Sequence, residues 1–331
     1  MMKIFVTMAG ENSWEDLNMR KSLVEMGHEV INCTIDEAAI ESIRGMSEKP
    51  ALWYMVSAGP HEGQSQEVVN MFSYNMQKLR ELGVPSVYFS AGAGCGFVQM
   101  DSLSAPHVDY AVTTDVASIE YFKLYGTPHV IYSCFAANPD VYKKKELSHQ
   151  YDVSFVGTAF GHRHEYTIPN LLNHDINVRV WGDFWRDEER PGYVSDQRID
   201  VIAGSKVPIP YMVDIFNKTK INLCFSIGFH TDNFRGYAPR TMKLRHFEIT
   251  ASGGFMLTDW EEGDYELDEF FIPGKQCEVY NTEEELVDKI QYYLKHEDER
   301  EKIAQAGYER CVSEHTWKNR FEDIFKILRV E

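Results

Sequence analysis

The chain opens on an apolar run of strand length, "KIFVTMA", followed by a polar turn and a stretch with helical periodicity, "WEDLNMRKSLVEMG". Ser13 just ahead of that stretch and Asp16 within it stand three apart, the spacing of a capping box, and Gly27 closes the helix. The alternation then repeats. "HEVINCTI", "ALWYMVSAG", "VPSVYFSAG", "VDYAVTTD" and "TPHVIYSCFA" are predicted strands, while "SQEVVNMFSYNMQKLRELG" and "VASIEYFKLYG" are predicted helices. Repeated βα units of this kind predict a parallel, doubly wound sheet.

The pattern breaks near residues 138–150. "NPDVYKKKELSHQ" is polar and Lys-rich, without apolar periodicity, and predicts an interdomain linker. A second series follows, with strands "YDVSFVGTA", "INVRVWGD", "INLCFSIG", "FMLT" and "QCEVYN". Its helices run through "EYTIPNLLNHD", around "MVDIFNKTK", and through "EEELVDKIQYYLKH", which Thr282 and Glu285 cap. The segment "DEREKIAQAGYERCVSEHTWKNRFEDIFKIL" predicts helix with a break around Ser313. The fold class is therefore α/β with two Rossmann-like domains, residues 1–145 and 151–310, and an interdomain cleft suited to a small substrate.

Composition agrees and narrows the function. A length of 331 residues exceeds what one core usually serves, and 44% apolar with 13% aromatic residues is ample for packed cores. The net charge of −18, from 33 basic and 51 acidic residues, argues against nucleic acid and anionic membrane as partners. A bound phosphate would have to be met by a few well-placed Arg and Lys. The six cysteines are scattered, with no CxxC pair, and read as buried reduced thiols. No apolar run is long enough for a membrane span, and the first run is too short for a signal peptide, so the cytoplasm is the expected compartment.

One stretch carries the chemistry: "RHFEITASGGFMLTDW", residues 245–260. A helix ends at Gly253 and Gly254, a short strand follows, and Glu248 sits one turn before the stop. That α–turn–β unit places a carboxylate near the strand edge where open α/β sheets bind ligands.

In their order and spacing, "YDVSFVGTAFGHRHE", "VRVWGDFW", "KTKINLCFS", "LRHFEITASGGFMLTDW" and "EELVDKIQYYLKHEDEREKIAQAGYERCVSEHTWKNRF" resemble the CgeB-like glycosyltransferases. These are related to the large retaining nucleotide-sugar group with the GT-B fold. The resemblance covers roughly residues 110–331 well and the first hundred in outline. It implies a donor domain over 151–310, an acceptor-side domain over 1–145, and a last helix within 311–331 that returns to the first domain. It also implies that Glu248 takes the ribose hydroxyls of a nucleotide sugar, a task suited to an acceptor-only carboxylate facing a cis-diol. The larger group has a further glutamate eight positions earlier; here that position is Arg240, so sugar contacts and stereochemistry do not carry over.

Arg240, Lys243 and Arg245 form a basic cluster in an acidic chain, and a diphosphate leaving group needs such charge. Arg163 follows Gly157 and Gly161 in a loop that leads into a helix, where backbone can approach phosphate; the alternative is a plain βα turn. Gly182, flanked by Trp181 and Trp185, offers a similar approach with aromatics for a base, although aromatics at that spacing more often belong to a core. Gly253, Gly254 and Gly10 are grouped with the nucleotide-sugar contacts, Gly10 from the opposite domain. His61 and Glu62 stand at a strand end as acceptor or sugar contacts, with a polar loop as the alternative, and "SAGAGCG" reads as an acceptor-side loop.

The expectation is a glycosyltransferase that moves a sugar from a nucleotide-diphosphate sugar to a glycan, protein or small-molecule acceptor. Arg240, Lys243 and Arg163 would stabilise the leaving group, with no cofactor and no metal. A nucleotide-sugar epimerase and a non-catalytic, spore-coat-like binding protein are the rival readings.

Overall fold

The computed structural model describes every residue except 93–95, 160–166, 184, 186–199, 203–206, 227–239, 264 and 331, and only the backbone of 200–202. The chain divides into two units: Met1–Phe135, His230–Thr241 and Trp317–Glu331 form the first, Ala136–Phe229 and Met242–Thr316 the second. Among the described residues each unit is built on one six-stranded, wholly parallel sheet.

In the first unit the strands are β1 (Lys3–Thr7), β2 (Glu29–Asn32), β3 (Leu52–Val56), β4 (Ser86–Ser90), β5 (Tyr110–Thr113) and β6 (His129–Tyr132), in the order β2-β1-β3-β4-β5-β6. The winding reverses between β1 and β3, where Phe5 pairs with Ile31 on one side and Trp53 on the other. Every residue of β3 and β4 is buried, which is why these strands are apolar on both faces rather than alternating. The helices are α1 (Lys21–Glu25), α2 (Glu37–Gly45), α3 (Gln66–Glu81), α4 (Phe97–Met100) and α5 (Ser118–Leu124). The first helix starts as predicted: Ser13 Oγ accepts the Asp16 N–H at 3.1 Å, and the Asp16 carboxylate accepts the Asn12 N–H at 3.1 Å. A π-helical turn, Asp16–Arg20, then leads into α1. The sequence reading did not include α2; Asp36 caps it by accepting from Ala39 N–H at 2.9 Å. The C-terminal helix Trp317–Leu328 belongs to this unit, with Trp317 buried 5.7 Å from the ring of Phe89 and Phe321 5.5 Å from that of Tyr54.

The second unit has β7 (Tyr151–Val156), β8 (Val178–Trp181), β9 (Asp200–Ile202), β10 (Thr219–Cys224), β11 (Met256–Asp259) and β12 (Glu278–Tyr280). Their order is β12-β11-β10-β7-β8-β9, the dinucleotide-fold order, with its switch point between β7 and β10. The helices are α6 (Ile168–Asn173), α7 (Ile209–Lys218), α8 (Leu244–Ala251), α9 (Leu267–Phe270), α10 (Glu283–Tyr293) and α11 (Glu297–Glu314). As predicted, Thr282 caps α10 through Glu285 N–H, and the C-terminal helical stretch breaks just after Ser313, at His315 and Thr316. Its core gathers Val153, Phe155, Val180, Ile221, Leu223, Leu257 and Ile290.

Residues 138–150 lack regular structure, as expected, but they are not a free tether. They are part of the second unit, and Tyr142 is completely buried there. The Asn217 side chain accepts from Lys145 N–H and donates to the Lys143 carbonyl, and Lys145 pairs with Asp214 at 2.6 Å. The described cysteines are free thiols, all buried but Cys33, and burial pushes the Cys33 thiol up to about 12. No described helix is long and apolar enough to cross a membrane.

Candidate functional site

In an open parallel sheet the ligand crevice lies beyond the carboxyl ends of the strands, at the switch point. In the second unit that edge is made by Gly157 after β7, Gly182 after β8, Ser226 after β10 and Asp259 at the end of β11. Two adjacent loops close on one another there. The Gly157 N–H donates to the Trp181 carbonyl at 2.8 Å, and the Ala159 N–H donates to the Asp183 carbonyl at 2.9 Å. Gly182 adopts φ +139, a conformation open to glycine, and a Cβ on it would fall 2.2 Å from the Gly157 oxygen. Both glycines predicted from sequence are thus brought together, backbone to backbone.

The tryptophans beside them face the other way. Trp181 and Trp185 are each 1% exposed. Trp181 packs edge-on to Tyr151, while Trp185 packs edge-on to Phe155 and donates its Nε1–H to the Gly157 carbonyl at 2.8 Å. They belong to the interior and brace the loop, so the base-stacking role offered for them does not fit this structure. Ser226 and Asp259 join the ends of β10 and β11: the Asp259 carboxylate accepts from Ser226 N–H at 2.7 Å and from its Oγ–H at 2.6 Å.

The first turn of α8 reaches the same edge. His246 is fully buried, and its Nδ1 accepts the Lys243 N–H at 2.9 Å. Its Nε2–H is then left to donate to Thr258 Oγ1, 3.2 Å away near the end of β11. Burial pushes the imidazole pKa down to about 3, so it stays neutral and acts as a fixed cap for the half-buried Lys243. Sequence reading gave His246 no role; its signal was a histidine three residues into a helix after a lysine, which is not distinctive.

Glu248, one turn on, is only 2% exposed. One carboxylate oxygen accepts the hydroxyl of Tyr142 and the other the guanidinium of Arg245. The carboxylate is thus buried, paired and hydrogen-bonded, as burial of a charge requires. Gly253 and Gly254 lie past the far end of the helix, before β11 begins, at the amino edge. They form its stop: Gly253, at φ +76, donates to the Thr250 carbonyl and Gly254 to that of Ile249, a Schellman pair. Their grouping with the nucleotide contacts has no support in this placement, which gives them a capping role.

Of the other predicted residues, Arg163 lies outside the described residues. Arg240 is half-buried and groups with the first unit, whereas Lys243 and Arg245 belong to the second, so the three do not form a cluster within one unit. Gly10, after β1, and His61 and Glu62, after β3, stand at the carboxyl edge of the first sheet beside its own switch point. Gly10 makes a turn through its carbonyl to Ser13 N–H at 3.1 Å. His61 and Glu62 are exposed, with His61 Nδ1 3.1 Å from the Glu62 carbonyl.

Two doubly wound parallel sheets, the second with a glycine-lined carboxyl edge, are the framework of the GT-B fold. A family described as glycosyl transferase-like matches residues 163–326 of this chain. Among individual relatives, the spore protein CgeB of Bacillus subtilis (strain 168) is 23% identical over 218 residues, 63% of this chain and 64% of the relative, so the match spans less than two thirds of that protein. AviGT4, a glycosyltransferase involved in avilamycin A biosynthesis, has the same fold with a TM-score of 0.60 at 13% identity, over 99% of this chain and 97% of that one. A variant of S. aureus TarM, solved in complex with fondaparinux, α-GlcNAc-glycerol and UDP, matches with a TM-score of 0.51 at 9% identity, over 90% of this chain and 54% of that one. The resemblance to CgeB-like glycosyltransferases drawn from the second half of the sequence agrees with these matches.

Proposed function

We propose that the protein transfers a sugar from a nucleoside-diphosphate sugar to an acceptor, with the diphosphate held at the carboxyl edge of the second sheet. One observation carries this reading. The switch point between β7 and β10 falls at that edge, and the Gly157 and Gly182 loops beside it present backbone without side chains. The UDP in the TarM complex supports a nucleoside diphosphate as the ligand class.

The chemistry follows from charge. Breaking the bond between the anomeric carbon and the diphosphate oxygen develops negative charge on the leaving group. Lys243 at the start of α8 and the N-terminal end of that helix are the fixed positive partners in the second unit, while the Gly157 and Ala159 N–H groups already donate to the Trp181 and Asp183 carbonyls and hold the glycine loops in place. Arg163 and Arg240 are further cations proposed from sequence. With such groups in place no divalent metal is assigned to the step. Glu248 takes the ribose hydroxyls, and the acceptor is assigned to the first unit, where Gly10, His61 and Glu62 share one edge.

A second reading is favoured by Arg240. It stands where the larger related group has a glutamate near the transferred sugar, and a chain that binds donor without transfer would tolerate that change.

Calorimetric titration of UDP, GDP, ADP, dTDP and CDP into the protein and into Lys243→Ala tests the reading. One diphosphate should bind the wild type and lose about tenfold in affinity, roughly 1.4 kcal/mol, with the variant. A folded protein that binds none of them contradicts it. Binding without product from any acceptor would favour the second reading.

A further inference from the structure

We infer that Tyr142 is an internal ligand of Glu248, a latch that occupies the donor-site carboxylate until a nucleotide displaces it. The inference rests on the proposed role of Glu248 in binding ribose. As the chain stands, that carboxylate cannot receive a ligand: Glu248 is 2% exposed, Tyr142 is 0% exposed, and their hydrogen bond joins residues 106 apart in sequence.

The two groups that hold Glu248 differ in kind. Arg245 lies one turn earlier on the same helix, and its guanidinium sits over the Phe216 ring at 5.4 Å against α7. It is part of the α7–α8 packing and moves with Glu248. Tyr142 comes from the segment that begins at Ala136, where the chain passes from the first unit into the second. Residues 143–150 are exposed and have no regular structure, so Tyr142 can leave without breaking a strand ladder or a helix; what must yield are the Asn217 bonds to Lys143 and Lys145 and the Lys145–Asp214 pair. The exchange is also chemically even. A phenol hydroxyl donating to a carboxylate oxygen is replaced by a ribose hydroxyl donating to the same oxygen, and the buried charge keeps Arg245 as its partner. Donor occupancy would thereby be felt by the segment connecting the two units.

A ligand that must first displace an internal competitor binds with an affinity reduced by the fraction of open protein. Removing the competing hydroxyl should therefore tighten binding. UDP titrated calorimetrically into the wild type, Tyr142→Phe and Glu248→Ala provides the test, after circular dichroism has shown each to be folded. The latch predicts that Tyr142→Phe binds UDP about tenfold tighter than the wild type, while Glu248→Ala binds more weakly. Equal or weaker binding by Tyr142→Phe, with the wild type binding normally, overturns the latch and leaves the glycosyltransferase reading intact. Absence of binding in both by UDP and equally by GDP, ADP, dTDP and CDP overturns the latch together with the role of Glu248 on which it rests. Should Tyr142→Phe not fold, amide exchange in the wild type decides: UDP should speed exchange over residues 141–145, and unchanged or slower exchange there contradicts the latch.

Discussion

A Cβ placed on Gly182 would lie 2.2 Å from the carbonyl oxygen of Gly157 and 2.6 Å from its carbonyl carbon. The loops after β7 and β8 therefore touch through their backbones, and Trp185 holds the Gly157 carbonyl from the interior side. Both the local conformation and the space require glycine. Gly182→Ala should destabilise the protein by about 3 kcal/mol, from strain at φ +139 plus the forced separation of the loops. Urea unfolding would measure this, and a loss under about 0.5 kcal/mol would show that the loops are not closed on one another.

Gly253 offers the contrasting case, because it stops α8 at the opposite edge of the sheet. Gly253→Ala puts a side chain at φ +76 and against the Lys144 stem, and should cost about 1–2 kcal/mol. Affinity for a nucleoside diphosphate should not change by more than about twofold, which is within the usual independence of distant sites. A large loss of affinity at unchanged stability would return Gly253 to the nucleotide contacts.

His246 can accept the Lys243 N–H at Nδ1, and so cap the start of α8, only while its ring is neutral. Burial lowers its pKa from 6.5 to about 3, so its contribution is complete above pH 6.5 and is lost as pH falls from 6.5 towards 3. The slope is about 1.4 kcal/mol per pH unit while the unfolded form is protonated and the folded form is not. Urea midpoints between pH 7 and 4 should fall for the wild type. They should fall less steeply for His246→Asn, which begins from a lower stability at pH 7.

Asp101 in the first unit has the opposite sign. Its buried carboxyl accepts from Tyr88 Oη–H at 2.8 Å and Ser90 Oγ–H at 2.7 Å, yet desolvation outweighs both and raises its pKa from 3.8 to about 6. The folded state holds the proton more tightly, so stability is greatest below pH 3.8 and is lost as pH rises towards 6, by about 3 kcal/mol in all. Asp101→Asn should flatten the profile of the first unit over that window. An unchanged profile would mean that the carboxyl is ionised throughout.

Much of the fold was legible in the sequence because buried parallel strands are apolar on both faces, and "KIFVT", "LWYMV", "SVYFS" and "TKINLC" stand out from the helices between them. The helix after Asp36 escaped because its buried positions, Ile40 and Ile43, make only a weak stripe; the cap at Asp36 was its better signal. The segment 138–150 looked like a tether since Tyr142 is the single buried side chain after Val141 in a run of exposed ones, and periodicity cannot register one anchor. Gly157 and Gly182 were legible by their places after strands. The partners of Glu248 were not, because Tyr142 stands 106 residues away and local spacing holds no trace of it. Nor could a sequence alone tell Trp181 and Trp185, as core braces, from a stacking platform.

The most direct test of the central claim is where a nucleoside diphosphate acts on the backbone, measured by amide hydrogen exchange with and without saturating UDP. The account predicts slowed exchange in peptides covering residues 157–159 and 182–183, at the carboxyl edge of the second sheet. A 460 Å³ cavity at the amino edge, lined by Lys144, His149, Lys220 and Gly253 among others, supplies the counter-site. Protection confined to residues 146–149 and 253–255, with the glycine loops unaffected, would contradict it.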